Sequence, residues 1–148
     1  MRVILAVDES QFSADAVEEV AARSWPPDTT VRVLSAVEPI TPPPASQLWY
    51  DAGGSIEHLQ KELTNRQERL VSKAASLLQE RGLSAEAMVR QGDARSVIVD
   101  EATEWPADLI VVGSHGYSGI KRWLLGSVAH SVVSHAPCSV QVVRKRAP

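Results

Sequence analysis

Four small residues stand at a defined spacing late in the chain, where Gly113 and Gly116 are followed, after nine intervening residues, by Gly126 and Ser127. Glycine has no Cβ, so the backbone can adopt positive φ angles and an oxygen atom can approach it closely. Successive amides in such a loop can form a concave set of hydrogen-bond donors for an anion. The spacing therefore indicates a phosphate-binding loop, in which Ser127 either caps a helix or donates to the phosphate.

The elements predicted on either side of this loop would position its amides. The apolar run 107–112 predicts a short strand before the loop, and residues 128–134 predict a helix after it. The first amides of a helix have no intrahelical acceptor and carry the positive end of the helix dipole. An anion bound there gains roughly 0.3 to 1 kcal/mol, and up to about 2 kcal/mol when it is partly buried.

Charged side chains offer further contacts, each with a plainer alternative. Asp8 follows the first apolar run, where its carboxylate could accept hydrogen bonds from ribose hydroxyls or help to hold a phosphate-bound cation, or else could cap the next helix. His115 lies inside the glycine loop and either donates to a phosphate or is an exposed loop histidine. Lys121 and Arg122 lie in the same loop and either neutralise phosphates or face water.

Catalytic chemistry is not indicated. No Gly-Lys-Ser or Gly-Lys-Thr follows a glycine run, and the glycines do not form G-x-G-x-x-G, which excludes P-loop and dinucleotide-binding motifs. No nucleophile is paired with a general base and an orienting third group, so we predict no catalytic residues. Slow hydrolysis of a nucleotide, or self-phosphorylation, stays open as an alternative.

Metal-ligand and disulfide chemistry are not indicated either. The histidines His58, His130 and His135 show no ligand spacing, so no protein metal site is predicted and any metal would arrive with a nucleotide. Cys138 is the only cysteine, so no intramolecular disulfide can form, and its place in an apolar run indicates an inert buried thiol.

The hydrophobic pattern alternates between strands and helices along the whole chain. An element order of β and α that ends on β predicts a parallel sheet with helices on both faces. The long loop that we predict between the second strand and the second helix contains Trp49 and Tyr50, which either hold the loop against that helix or stack on a base. The predicted strands are 2–7, 30–37, 84–90, 107–112 and 139–144, the predicted helices are 13–24, 55–81, 93–105 and 128–134, and the long loop is 39–54.

Burial patterns order the strands. The first and fourth strands are apolar throughout and should be central, whereas the third and fifth alternate as edge strands do. We therefore predict one α/β domain over residues 1–148, with a single open five-stranded parallel sheet in the order 3-2-1-4-5 and a short basic tail at 145–148. In such a Rossmann-like sheet a crevice opens at the carboxyl ends of the first and fourth strands, where Asp8 and Gly113 would meet.

Composition limits the partners. The chain has 148 residues, 44% of them hydrophobic, and a formal charge of −3, so no broad basic field favours nucleic acid. No apolar run is long enough to span a membrane, and the start of the chain is too short in apolar residues for a signal peptide. We therefore expect a cytoplasmic protein without nucleic-acid or membrane partners.

The glycine motif and the start of the chain together resemble a known family. The motif G-x2-G-x9-G-[ST], set between V-V-G-S-H-G and L-L-G-S-V, closely resembles the nucleotide-binding signature of the universal stress protein family, and the opening A-V-D-E-S is similar too. The resemblance covers residues 1–146 and implies the same fold, an ATP-binding type of member, and ATP, ADP or AMP as ligand, with Mg or Mn carried by the nucleotide.

The same resemblance implies residue roles. Asp8 would contact the nucleoside, the backbone of Val37 would meet the adenine edge, and Ala6 and Val112 would line the pocket. The phosphate loop would run from Gly113 to Val128. The site residues expected in all are Ala6, Asp8, Val37, Val112, Gly113, His115, Gly116, Gly126, Ser127 and Val128.

The function expected from these observations is that of a nucleotide-dependent sensor or regulator in stress response, whose ordered surface a protein partner then reads. The alternatives are a slow ATPase or self-phosphorylating protein and a nucleotide-free interaction scaffold. A phospho-acceptor domain is disfavoured, because the fourth strand ends in Val112 and Gly113 instead of an acceptor aspartate. The last strand, 139–144, would present an exposed edge, and we predict a homodimer through it, as is common in the family that the chain resembles.

Overall fold

The computed structural model describes residues 1–41, 52–115 and 124–145, and within them strands and helices alternate as predicted. The elements are β1 (Arg2–Ala6), α1 (Gln11–Ala22), β2 (Thr30–Val37), α2 (Ala52–Glu80), β3 (Ser84–Gln91), α3 (Ala94–Glu104), β4 (Leu109–Gly113), α4 (Ser127–His135) and β5 (Ser139–Val143).

Most bounds agree with the sequence-based prediction to within two or three residues. Helix α2 begins at Ala52, three residues before the predicted start, so the predicted long loop 39–54 ends sooner. Helix α1 begins at Gln11 because Ser10 is its N-cap and accepts a hydrogen bond from the amide of Ser13 at 3.2 Å. The capping role considered for Asp8 therefore belongs to Ser10.

The five strands form one parallel sheet in the order β3-β2-β1-β4-β5, which confirms the predicted topology. Strand β1 is central and pairs with β2 and β4, while β3 and β5 each pair with one described neighbour. The burial of β1 and β4 follows from this order, because both faces of an inner parallel strand are covered.

Successive residues of each strand point to opposite faces and fill two separate cores. In β1, Val3 and Leu5 pack under α1 and α2, whereas Ile4 packs under α3 and α4. The helices that follow the neighbouring strands β1 and β4 therefore lie on opposite faces of the sheet. Their chains diverge at the carboxyl ends of these strands, which opens a crevice there.

Candidate functional site

The crevice is a cavity of about 70 Å³ at the carboxyl ends of β1 and β4. This volume is far below the roughly 300 to 1,000 Å³ of small-molecule pockets, so a larger ligand would extend beyond the part that the described residues enclose. Six of the residues predicted from the sequence line it: Ala6, Asp8, Val112, Gly113, His115 and Val128.

Three other predicted residues lie near the crevice without lining it. Val37 ends β2 with its side chain 5% exposed, and its carbonyl accepts a hydrogen bond from the amide of Gly92 at 2.9 Å. Gly126 and Ser127 form the start of α4. The remaining predicted contact, Gly116, lies outside the described residues, as do Trp49, Tyr50, Lys121 and Arg122.

Asp8 is held on one wall of the crevice by its own loop. Its Oδ1 accepts the amide of Ser10 at 2.8 Å, and its amide donates to Oγ of Ser13 at 2.9 Å. These bonds fix the carboxylate next to the end of β1 while leaving it partly exposed. An oriented, acceptor-only carboxylate in this place suits hydroxyl groups of a ligand.

Gly113 is required by packing against the start of α1. A Cβ built on this glycine would lie 2.7 Å from both the carbonyl carbon and the carbonyl oxygen of Phe12. Gly113 and Gly126 do not use the positive φ that glycine permits, since positive φ occurs among the described glycines only at Gly82 and Gly92. Gly126 has a φ of −62°.

Ser114 and His115 continue from β4 into the interior. His115 is 8% exposed, so the exposed-loop alternative is wrong, and its ring packs against Phe12 with centroids 5.1 Å apart. Oγ of Ser114, which is 1% exposed, lies 3.1 Å from Nδ1 of His115. Nε2 of the same ring is buried and has no hydrogen-bond partner within the described ranges.

The start of α4 supplies backbone donors at the same cavity. The amide of Gly126 donates to the carbonyl of Ser114 at 2.8 Å, so it is already engaged by the chain, and the first intrahelical bond runs from the amide of His130 to the carbonyl of Gly126. The amides between these two have no intrahelical acceptor. Val128 and Ala129, in this first turn, line the crevice, which is where an anion would meet the helix dipole.

Nothing in the sequence pattern pointed to the buried pair of Ser114 with His115 or to the contact of Phe12 with Gly113. Ser114 is an ordinary residue between two motif positions, and its backbone hydrogen bonds to Val143 and Gly126 join it to other elements. Phe12 is the only phenylalanine in the chain. This was the one feature of the composition that could have drawn attention to a specific contact of Phe12.

Other chemistry is limited in the part of the chain that the structure covers. Residues 1–41, 52–115 and 124–145 contain no group of three His, Cys, Asp or Glu side chains that could hold a metal ion. Burial, and then nearby Asp108, raise the pKa of Cys138, which disfavours its reactive thiolate form. None of the described helices is long and apolar enough to cross a membrane.

Comparisons with known proteins point to one family. The sequence profile of the universal stress protein family matches residues 1–144. The universal stress protein YxiE of Bacillus subtilis is 28% identical over 145 residues, which cover 97% of this chain and 98% of that protein.

Solved structures with the same fold include three universal stress proteins. UspA from Lactobacillus plantarum has a TM-score of 0.79 at 21% identity, covering 97% of each chain. An Arabidopsis thaliana family protein with AMP bound has a TM-score of 0.67 at 22% identity, covering 99% of this chain and 93% of that one. A universal stress protein in complex with cAMP has a TM-score of 0.65 at 23% identity, covering 97% and 96%.

Proposed function

Because the chain belongs to the universal stress protein family, we propose that it binds an adenine nucleotide in the crevice between β1 and β4 and acts as a nucleotide-dependent regulator. The observation that carries this proposal is His115, a residue that lines the cavity and whose buried Nε2 has no hydrogen-bond partner in the described chain. A buried polar atom without a partner costs free energy, and a bound ligand would satisfy it. Relatives with AMP or cAMP bound support the ligand class.

The polar groups around the crevice suit the two ends of a nucleotide. The carboxylate of Asp8 accepts hydrogen bonds from ribose hydroxyls, while the first turn of α4 and His115 face the phosphates. Ala6 and Val112 supply apolar walls, and the end of β2 at Val37 lies toward the base. We propose Gly116, Gly126 and Ser127 as further members of the phosphate loop, and ATP, ADP or AMP as ligand, with Mg or Mn carried by the nucleotide.

Regulation is favoured over turnover by the described part of the crevice. Ser114 and His115 have the composition of a nucleophile with a base, but Ser114 is not among the residues that line the cavity, whereas His115 is, so the serine hydroxyl does not face a ligand there. Among the described residues, no third side chain forms a hydrogen bond with His115 that would orient its ring. Slow ATP hydrolysis or self-phosphorylation remains the alternative, and a protein partner would read the nucleotide-bound surface.

We also propose that the protein is a cytoplasmic homodimer joined through β5. This strand pairs only with β4 among the described strands, so its outer edge is open to a second chain. An antiparallel or parallel partner strand would satisfy the amides and carbonyls that face outward there.

Isothermal titration with ATP, ADP, AMP, cAMP and GTP tests the proposed binding. Asp8→Asn keeps the side-chain oxygen that accepts the amide of Ser10 but removes the charge. We expect this variant to bind adenine nucleotides about 10-fold more weakly, as loss of a charge-assisted hydrogen bond does. Asp100→Asn, at an exposed position on α3, is the matched control and should bind normally. Absence of binding by the unmodified protein to any adenine nucleotide would overturn the proposal.

A further inference from the structure

We propose that Ser114 is a positioning residue that fixes the Nε2–H tautomer of His115, so that this ring donates a hydrogen bond to a phosphate oxygen of the ligand. The inference rests on the proposed function for its ligand, but its structural half concerns the free protein alone. Ser114 itself does not line the cavity and would act only through the histidine.

Ser114 is held rigidly in place by its backbone. Its amide donates to the carbonyl of Val143 at 3.0 Å, and its carbonyl accepts the amide of Gly126 at 2.8 Å. The residue thereby connects β4, the end of β5 and the start of α4. With both backbone groups engaged, its side chain has a fixed origin beside the imidazole ring.

The need of the buried Ser114 hydroxyl for an acceptor determines the direction of its hydrogen bond with His115. Nδ1 of His115 is the described partner of the Ser114 hydroxyl, which is almost fully buried. If Nδ1 carried the proton, the buried hydroxyl hydrogen would have no described acceptor, which is costly. If the hydroxyl donates to Nδ1, its hydrogen is satisfied and the ring proton lies on Nε2.

The position of Nε2 then determines what the crevice recognises. Phe12 packs on the ring at a centroid distance of 5.1 Å and limits its rotation, so the Nε2–H group is preorganised as a donor. Val128 and Ala129, in the first turn of α4, line the same cavity, where amides without an intrahelical acceptor add donors. Asp8, which lines the same cavity, is an acceptor. A cavity that offers several donors together with an acceptor fits a nucleoside that carries a phosphate better than a nucleoside alone.

Two measurements test this proposal. Long-range ¹H–¹⁵N correlation spectra of the free protein report the tautomer of His115. Titrations with AMP and with adenosine measure how much the phosphate contributes to the binding affinity. We expect a single Nε2–H tautomer in the unmodified protein. In Ser114→Ala, we expect His115 to populate both tautomers and the affinity for AMP to fall about 5- to 10-fold, while the affinity for adenosine changes less than about twofold.

Matched variants keep the result interpretable. Ser134→Ala removes an exposed hydroxyl that is bonded within α4, and it should change neither the tautomer nor the affinities. His115→Gln offers an amide donor in place of Nε2–H and should retain more AMP affinity than His115→Asn, whose shorter amide cannot reach that position. These two His115 variants test the donor role of Nε2 even if Ser114→Ala fails to fold.

The outcomes separate the two proposals. An Nδ1–H tautomer in the unmodified protein, or an unchanged ratio of AMP to adenosine affinity in Ser114→Ala, would overturn the role of Ser114 while leaving nucleotide binding intact. Equal losses in His115→Gln and His115→Asn would overturn the donor role of Nε2. Failure of the unmodified protein to bind AMP would remove the phosphate ligand together with the proposed function, whereas the tautomer would still decide what Ser114 does.

Discussion

At the scale of single residues, Gly113 has a requirement for space that its place in a glycine motif does not reveal. The carbonyl of Phe12 occupies the volume that a side chain would need, and backbone atoms at the start of a capped helix cannot move aside cheaply. The glycine thus allows α1 to approach the end of β4. Its first function is to form the wall of the crevice, before any ligand is considered.

We therefore expect Gly113→Ala to destabilise the protein by about 1 to 3 kcal/mol without nucleotide, as overpacking does. Urea unfolding monitored by circular dichroism measures this loss. Gly82→Ala is the control, because Gly82 has a φ of +84° but open space around it, so only backbone strain of about 1 kcal/mol is expected. A smaller loss for Gly113→Ala than for Gly82→Ala would contradict the packing explanation.

At the scale of elements, a buried carboxylate ties α3 to two strands. Glu101, which is 3% exposed, accepts a hydrogen bond from Arg32 on β2 and another from Arg90 on β3 at 2.6 Å. Trp105, which follows α3, lies under the guanidinium of Arg32 at 4.1 Å from the ring centroid. The hydrogen bonds to Glu101 and then to Glu104 raise the pKa of Arg90, so its charge is secure.

Neutralising the buried partner should be costly, because two guanidinium groups would lose their common counter-charge. We expect Glu101→Gln to lower the free energy of unfolding by about 3 kcal/mol. Glu104→Gln removes a second carboxylate bound to Arg90, but this side chain is 62% exposed, so a loss below about 1 kcal/mol is expected. Thermal and chemical unfolding of both variants compare the two directly, and equal losses would show that burial does not set the energy.

At the scale of the whole molecule, the described strands leave the outer edge of β5 unpaired, and the helix that precedes this strand carries an exposed apolar side chain. Val133 on α4 is 50% exposed, although Val132 beside it is fully buried in the core. A half-exposed valine on the helix that leads into an edge strand is a candidate interface position.

We expect the protein to be a dimer by size exclusion with light scattering, and Val133→Lys to weaken the dimer about 10-fold or more, since a charge would be brought into an apolar contact. Leu59→Lys, at a 47% exposed position on α2, is the control and should leave the dimer intact. A monomer at every concentration of the unmodified protein would rule out the interface, and an equal effect of both variants would place it elsewhere.

Much of the fold was predictable because its determinants are local. The apolar runs of β1 and β4 and the alternation in β3 reveal burial along each strand, and burial orders the strands in a parallel sheet. The same logic brought Asp8 and Gly113 to one crevice, since both lie at the carboxyl ends of inner strands. The predicted start of α1 came too late along the chain, because Ser10 caps the helix before the apolar period begins.

The sequence by itself determined the family, the element order, the strand order and the edge of the sheet where the candidate site lies, because periodicity and motif spacing are properties of neighbouring residues. Only the tertiary structure decided that His115 is buried, that Ser114 lies at Nδ1 of its ring, and that Gly113 meets Phe12. The contacts of Phe12 with Gly113 and His115 join segments about 100 residues apart along the chain. Ser114 and His115 are neighbours in sequence, but their burial follows from how helices and strands pack, which no local pattern specifies.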